Sequence, residues 1–272
     1  MLLILITGAT ALILEGSFLS HPFKIFIFLI GLYMTGGAAN AFNQYFERDI
    51  DAKMSRTMAR RPLPLNRISK IEAFVFSAFL GLTGFFILWG FFNFLTAALS
   101  LGTMVFYSLI YTLMLKPGTP QNIVIGGIAG AMPPIGAWAA ATGTVSITSL
   151  ILFLIVFLWT PPHFWALALR FKSDYEKSGL PMMPVVKGVD STLRHIVAYS
   201  YLLVLSSLLY SFTGGGWIYT LVALTLGTMF IYRAHVAHRT KNDNDIWAVF
   251  KFSITYLFGL FGIMVVDKFI LG

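Results

Sequence analysis

"KIFIFLIGLYMTGGAANAFNQYFERDIDAKMSRTMARRPLP", residues 24 to 64, passes from an apolar stretch long enough to cross a bilayer directly into the densest charge in the chain. Between Asn43 and Arg61 stand three acids and five basic residues, although only 11% of the 272 residues are charged. Outward from there, apolar runs recur at 2–19, 24–46, 71–92, 94–115, 122–142, 147–169, 195–213, 216–234 and 247–268. A hydrophobic fraction of 57%, an aromatic fraction of 16% and a mean hydropathy of +0.80 exceed what one soluble core of this length needs. The expectation is an all-α polytopic membrane protein with nine transmembrane helices, folded as a single domain over residues 1–272. The run at 2–19 is short for a span and lacks the basic start of a secretory signal peptide, which leaves room for a natural start upstream.

Lys and Arg concentrate in four connections, 48–70, 116, 170–194 and 233–241, which hold 16 of the 19. The intervening turns, near 20, 93, 144 and 214, are nearly uncharged. By the positive-inside rule the charged connections are cytoplasmic, with the N-terminus inside and the C-terminus outside. The net charge of +8 then reflects loops facing anionic lipid, and no nucleic-acid partner is expected, because the basic residues adjoin spans instead of forming a basic domain. The absence of Cys excludes disulfides, thiolate metal sites and Cys nucleophiles.

Three stretches carry candidate chemistry. Asn43, Glu47 and Asp51, spaced i, i+4 and i+8, share one helical face, with Asp49 on the other side. Two carboxylates and an amide oxygen make a hard ligand set suited to Mg2+, and Lys53, Arg56, Arg60 and Arg61 follow as partners for phosphate oxygens. Solvated flanks of a membrane helix would explain the charges equally well. However, Asn43 and Glu47 lie where apolar residues should still stand, and polar groups inside a membrane are costly. In "LWTPPHFWALALRFKSDYEKSGLPMMPVVKG", 158–188, Pro161 and Pro162 are expected to distort the helix and turn His163 and its aromatic neighbours toward a cavity, ahead of Asp174, Lys172 and Tyr175. A lone His on an apolar helix is more often a hydrogen-bonded core residue than a ligand. In 107–143, Tyr107 and Tyr111 fall on one face, followed by Lys116, Asn122 and "GGIAGAMPP". Its small residues let helices approach closely, and its prolines break the fifth span.

Together these stretches resemble the UbiA superfamily of intramembrane prenyltransferases, and within it the heme-farnesylating branch, over nearly the whole chain. The superfamily's N-x-x-x-D-x-x-x-D motif falls on Asn43, Glu47 and Asp51, with Glu47 in place of the first Asp. The branch's D-x-x-M-x-R-T-x-x-R-P continuation is matched by Asp51, Met54, Arg56, Thr57, Arg60 and, one position late, Pro62. "QNIVIGGIAGAMPPIGAWAAATG", "LWTPPHFWALALRFK" and "DYEKSGLPMMPVVKG" look like heme-branch signatures. Ser178 stands four residues after Asp174, so the second D-x-x-x-D of the quinone enzymes is absent.

The resemblance implies nine helices around a central cavity open sideways to lipid, in a bacterial inner membrane. It implies transfer of the farnesyl group of farnesyl diphosphate to a vinyl group of heme B with addition of water, giving heme O and diphosphate. Asn43, Glu47, Asp51 and Asp174 are then the catalytic, Mg2+-holding residues. Lys53, Arg56, Arg60, Tyr111, Lys116, Asn122, His163, Lys172 and Tyr175 bind the substrates. Tyr107, Tyr111, Trp138, Trp159 and Trp165 are candidates for an aromatic wall facing the farnesyl cation. Downstream partners would be a heme A synthase or terminal oxidase assembly. The rivals are a prenyltransferase of aromatic quinone precursors and a secondary transporter, the latter expected to place its site at the bilayer midplane instead of at one rim.

Overall fold

A computed structural model describes residues 1–271, apart from the side chains of Ser55 and Arg56. Among the described residues it is helical throughout, without strands. Eight helices are long and apolar enough to cross a membrane: α2 (Pro22–Asp51), α3 (Lys70–Phe91), α4 (Phe94–Gly118), α5 (Asn122–Thr142), α6 (Ile147–Arg170), α7 (Gly188–Phe212), α8 (Trp217–Thr240) and α9 (Asp243–Leu271). The first, α1 (Leu2–Glu15), has 14 residues and stops at Gly16, whose left-handed φ of 95° lets its N–H cap Leu12 O. It is thus shorter than the 2–19 expected from hydropathy, because apolar Phe18 and Leu19 lie in the turn beyond that cap.

Packing inverts the usual radial order. On α3 the buried residues are Ala73, Ser77, Gly81, Gly84 and Leu88, whereas Phe74, Val75, Phe79, Leu82 and Phe86 face outward, as lipid allows. Gly84 is needed for this fit: a Cβ there would come within 3.0 Å of Gly31 O on α2 and 2.7 Å of Thr35. Polar caps set several starts. Ser69 and Glu72 form a capping box on α3, and Asn93 caps α4 while donating Nδ2–H to Ala139 O on α5.

Two helices depart from regularity. In α5, Met132 separates Asn122–Ala131 from Pro133–Thr142, the break expected from Pro133 and Pro134. By contrast, α6 runs unbroken through Pro161 and Pro162. Both prolines are buried among neighbouring helices, and Thr160 Oγ1 donates to Val156 O beside them. Finally, residues Phe106–Leu115 of α4 wind as a π-helix, a rare form that occurs frequently at functional sites.

Candidate active site

The last turns of α2 present Asn43, Glu47 and Asp51 on one face, and all three are buried, at 4%, 2% and 2% exposure. Isolated buried carboxylates would be prohibitively costly, so the surroundings supply cations. Lys116 Nζ lies 2.5 Å from Glu47 Oε1, and Arg61 contacts Asp51 Oδ2 while standing 3.7 Å from Glu47 Oε2. Arg61 arrives there because the segment after α2 folds back over the helix end. Thr57 Oγ1 donates to Asp51 O at 2.9 Å, and Met54 and Leu63 of that segment are buried.

The π-helix supplies the orientation of Asn43. Thr112 Oγ1 donates its only proton to Tyr107 O at 2.8 Å, so toward Asn43 it can only accept. The amide nitrogen of Asn43 therefore faces Thr112, at 3.1 Å, which leaves the carbonyl oxygen as the end available to a cation. Two carboxylates and one oriented amide oxygen, with no His or Cys among them, suit a hard divalent ion such as Mg2+.

A cavity of about 300 Å3 lies in the membrane region, lined by residues of α1 to α6; on α2 its lining ends at Asn40, one turn before Asn43, so the acid face adjoins the cavity without lining it. Tyr107 and Tyr111 form its wall next to the acids, with rings stacked at 5.1 Å and Tyr111 within electrostatic reach of Glu47 and Tyr175. The Tyr111 ring lies on bare backbone, since a Cβ on Gly126 would come within 2.4 Å of it. Trp159 and Phe164 line the far side. Trp138 is not part of that lining, and Trp165 is fully buried against His195 and Tyr199, so the aromatic wall expected from these tryptophans reduces to Trp159.

Beside the cavity, sharing Leu3, Trp159 and Phe164 with it, a second groove of about 250 Å3 is lined by His163, Phe250, Ile254 and Phe258. The His163 ring is stacked between Trp159, at 4.3 Å, and Phe250, at 4.6 Å. Ser253 Oγ donates to Phe250 O at 2.6 Å, so the 2.7 Å contact with His163 must be a donation from Nδ1–H. Nε2 then carries the lone pair. Trp159 Nε1 donates to Ser253 O at 2.7 Å, so α6 and α9 are tied twice at one residue.

The other candidates are placed as follows. Asp174 and Tyr175 are buried in a short helix, Lys172–Ser178. Among the described residues no three Asp, Glu, His or Cys side chains gather as one metal group, so Asp174 does not join Glu47 and Asp51 in a three-acid cluster. Lys172 pairs with Glu176 at 3.3 Å. Asn122 is buried, donates Nδ2–H to Thr119 O, and has an Oδ1 without a hydrogen-bond partner. Lys53 and Arg60 are exposed, and Arg56 lies outside the described residues. Thr112 and Gly126 were not anticipated as site residues. A Thr and a Gly carry no signal alone, and their roles depend on the π-helix and on a ring from another helix.

Residues 3–258 match the UbiA prenyltransferase family, and the chain belongs to it. The described arrangement is therefore that of an intramembrane prenyltransferase. Among its relatives, the protoheme IX farnesyltransferase of Nitrosospira multiformis is 46% identical over 261 residues, covering 94% of this chain and 87% of that protein. That of Thiobacillus denitrificans is 47% identical over 241 residues, covering 88% and 80%. The fold is similar to that of a digeranylgeranylglyceryl phosphate synthase, with a TM-score of 0.81 at 21% identity over 97% of this chain and 92% of the other. It is also similar to a UbiA homolog from Archaeoglobus fulgidus bound to GPP and Mg2+, with a TM-score of 0.67 at 13% identity over 97% and 95%.

Proposed function

We propose that this integral membrane protein transfers the farnesyl group of farnesyl diphosphate to a vinyl group of heme B, with addition of water, giving heme O and diphosphate. The observation that carries this reading is the buried face of Asn43, Glu47 and Asp51, one turn beyond the α2 residues that line an apolar cavity. The high identity to protoheme IX farnesyltransferases supports the choice of acceptor.

Asn43, Glu47 and Asp51 would hold Mg2+, which when bound supplies positive charge to the departing diphosphate. Lys116 and Arg61 take the remaining phosphate charge, and this is worth most as the allylic C–O bond breaks and charge builds on the leaving oxygen. The cavity keeps water from the farnesyl cation, and Tyr107 and Tyr111 contribute aromatic rings to its lining. The vinyl carbon attacks the cation, and water then adds to the neighbouring carbon with loss of a proton, leaving a hydroxyethylfarnesyl side chain.

The porphyrin is assigned to the groove of His163, whose Nε2 lone pair suits axial contact with the heme iron. Asp174, Tyr175, Lys172 and Asn122 are assigned to the same cytoplasmic rim as auxiliary substrate contacts. The charged connections support an orientation with that rim, and the N-terminus, on the inner side of a bacterial membrane. The product would pass to a heme A synthase or to oxidase assembly.

Membranes holding the protein, incubated with heme B, farnesyl diphosphate and Mg2+, should yield a porphyrin with the mass of heme O, and EDTA should suppress it. Unchanged heme B under these conditions would refute the assignment. For the groove, His163→Ala should shift the absorption spectrum of bound heme and lower its affinity, and an unaltered spectrum and affinity would remove His163 from heme contact.

A further inference from the structure

The two acids of the rim are matched by two cations, and the match restricts what can enter. Glu47 and Asp51 are each 2% exposed, while the Lys116 and Arg61 side chains are 17% and 24% exposed. The cluster is neutral, and its two halves are held differently. The acids sit on a rigid helix, whereas both cations ride on long stems, Arg61 from the segment after α2 and Lys116 from the turn ending α4.

A divalent ion arriving alone must displace both cations from the carboxylates, which adds two positive charges to a poorly solvated site and leaves the displaced cations unpartnered. Diphosphate arriving alone can draw Lys116 and Arg61 to itself only by stripping Glu47 and Asp51 of their counter-charge. Each ligand alone therefore creates an uncompensated charge. A metal and a diphosphate arriving together do not: the metal takes the carboxylates, and the phosphate oxygens take the two side-chain cations in charge-assisted hydrogen bonds.

We propose that Lys116 and Arg61 stand in the metal's place and thereby make the site accept metal and diphosphate only as a pair. This rests on the assignment of the acid face made under the proposed function, and it adds a specificity that the assignment does not require. Linkage makes the coupling reciprocal: the factor by which diphosphate tightens metal binding must equal the factor by which metal tightens diphosphate binding.

The test uses the full chain in lipid nanodiscs, Mn2+ followed by electron paramagnetic resonance, and inorganic pyrophosphate. The wild type should bind Mn2+ about 100-fold more tightly with pyrophosphate than without, and pyrophosphate should gain the same factor from Mn2+. Lys116→Met keeps the stem and removes the charge. It should tighten binding of Mn2+ alone by about tenfold and shrink the coupling, and Arg61→Gln should act in the same direction. Equal Mn2+ affinity with and without pyrophosphate in the wild type would overturn the proposal while leaving the acid face standing as a metal site. Weaker binding of Mn2+ alone in both variants, folded by their unchanged thermal transitions, would also overturn it. Wild type that binds no Mn2+ in either condition would sink the metal assignment itself.

Discussion

The chain buries acids at both ends of its helices, and the two ends treat them differently. At the end of α9, Asp267 is 2% exposed and accepts backbone N–H bonds from Gly216, at 2.5 Å, and Tyr219, at 3.0 Å, at the start of α8. Its partners are main-chain groups at a helix N-terminus, which cannot leave and favour negative charge. At the opposite rim, Glu47 and Asp51 are just as buried, but their partners are side-chain ammonium and guanidinium groups that can be exchanged for a metal. Burial of an acid does not by itself distinguish structure from function. The replaceability of its partner does.

Substitution should separate the two ends. Asp51→Asn is expected to cut heme O formation by about 1,000-fold with little change in thermal stability. Asp267→Ala should do the reverse, destabilising the fold by about 1–3 kcal/mol while activity per folded molecule persists. Turnover assays paired with thermal unfolding of each variant read both effects, and a stability loss without an activity loss at Asp51 would erase the distinction. Gly126→Val should push the Tyr111 ring away from the rim and cost about 100-fold in turnover, measured on folded protein. Thr112→Val removes the acceptor that orients the Asn43 amide, and metal affinity in the presence of pyrophosphate should fall by about tenfold. Arg60→Ala, one residue from Arg61 but exposed, should leave turnover within about twofold.

The span pattern was legible because lipid imposes it residue by residue. Asn122–Thr142 coincides with its apolar run, and α6 extends its run by one residue. Helices with polar ends outran the hydropathy reading: α2 continues to Asp51, α8 to Thr240, and α7 begins at Gly188, since a helix need not stop where the hydrocarbon does. The face of Asn43, Glu47 and Asp51 followed from helical periodicity within one element. What periodicity could not supply was which of several neighbouring cations reaches that face. The segment after α2 has no regular repeat, and the choice of Arg61 over Arg60 depends on the Thr57 hydroxyl folding that segment back onto Asp51. The tautomer of His163 was equally out of reach, because it depends on Ser253, 90 residues away.

The account depends on metal and diphosphate meeting at the acid face of α2. The most direct measurement is the 31P spectrum of a non-ionising farnesyl thiolodiphosphate bound to the protein in nanodiscs with Mn2+ present. Wild-type protein should broaden both phosphorus resonances through the nearby paramagnetic ion, and Asp51→Asn should restore sharp lines. Equal broadening in the two proteins would mean that the metal and the phosphates meet elsewhere.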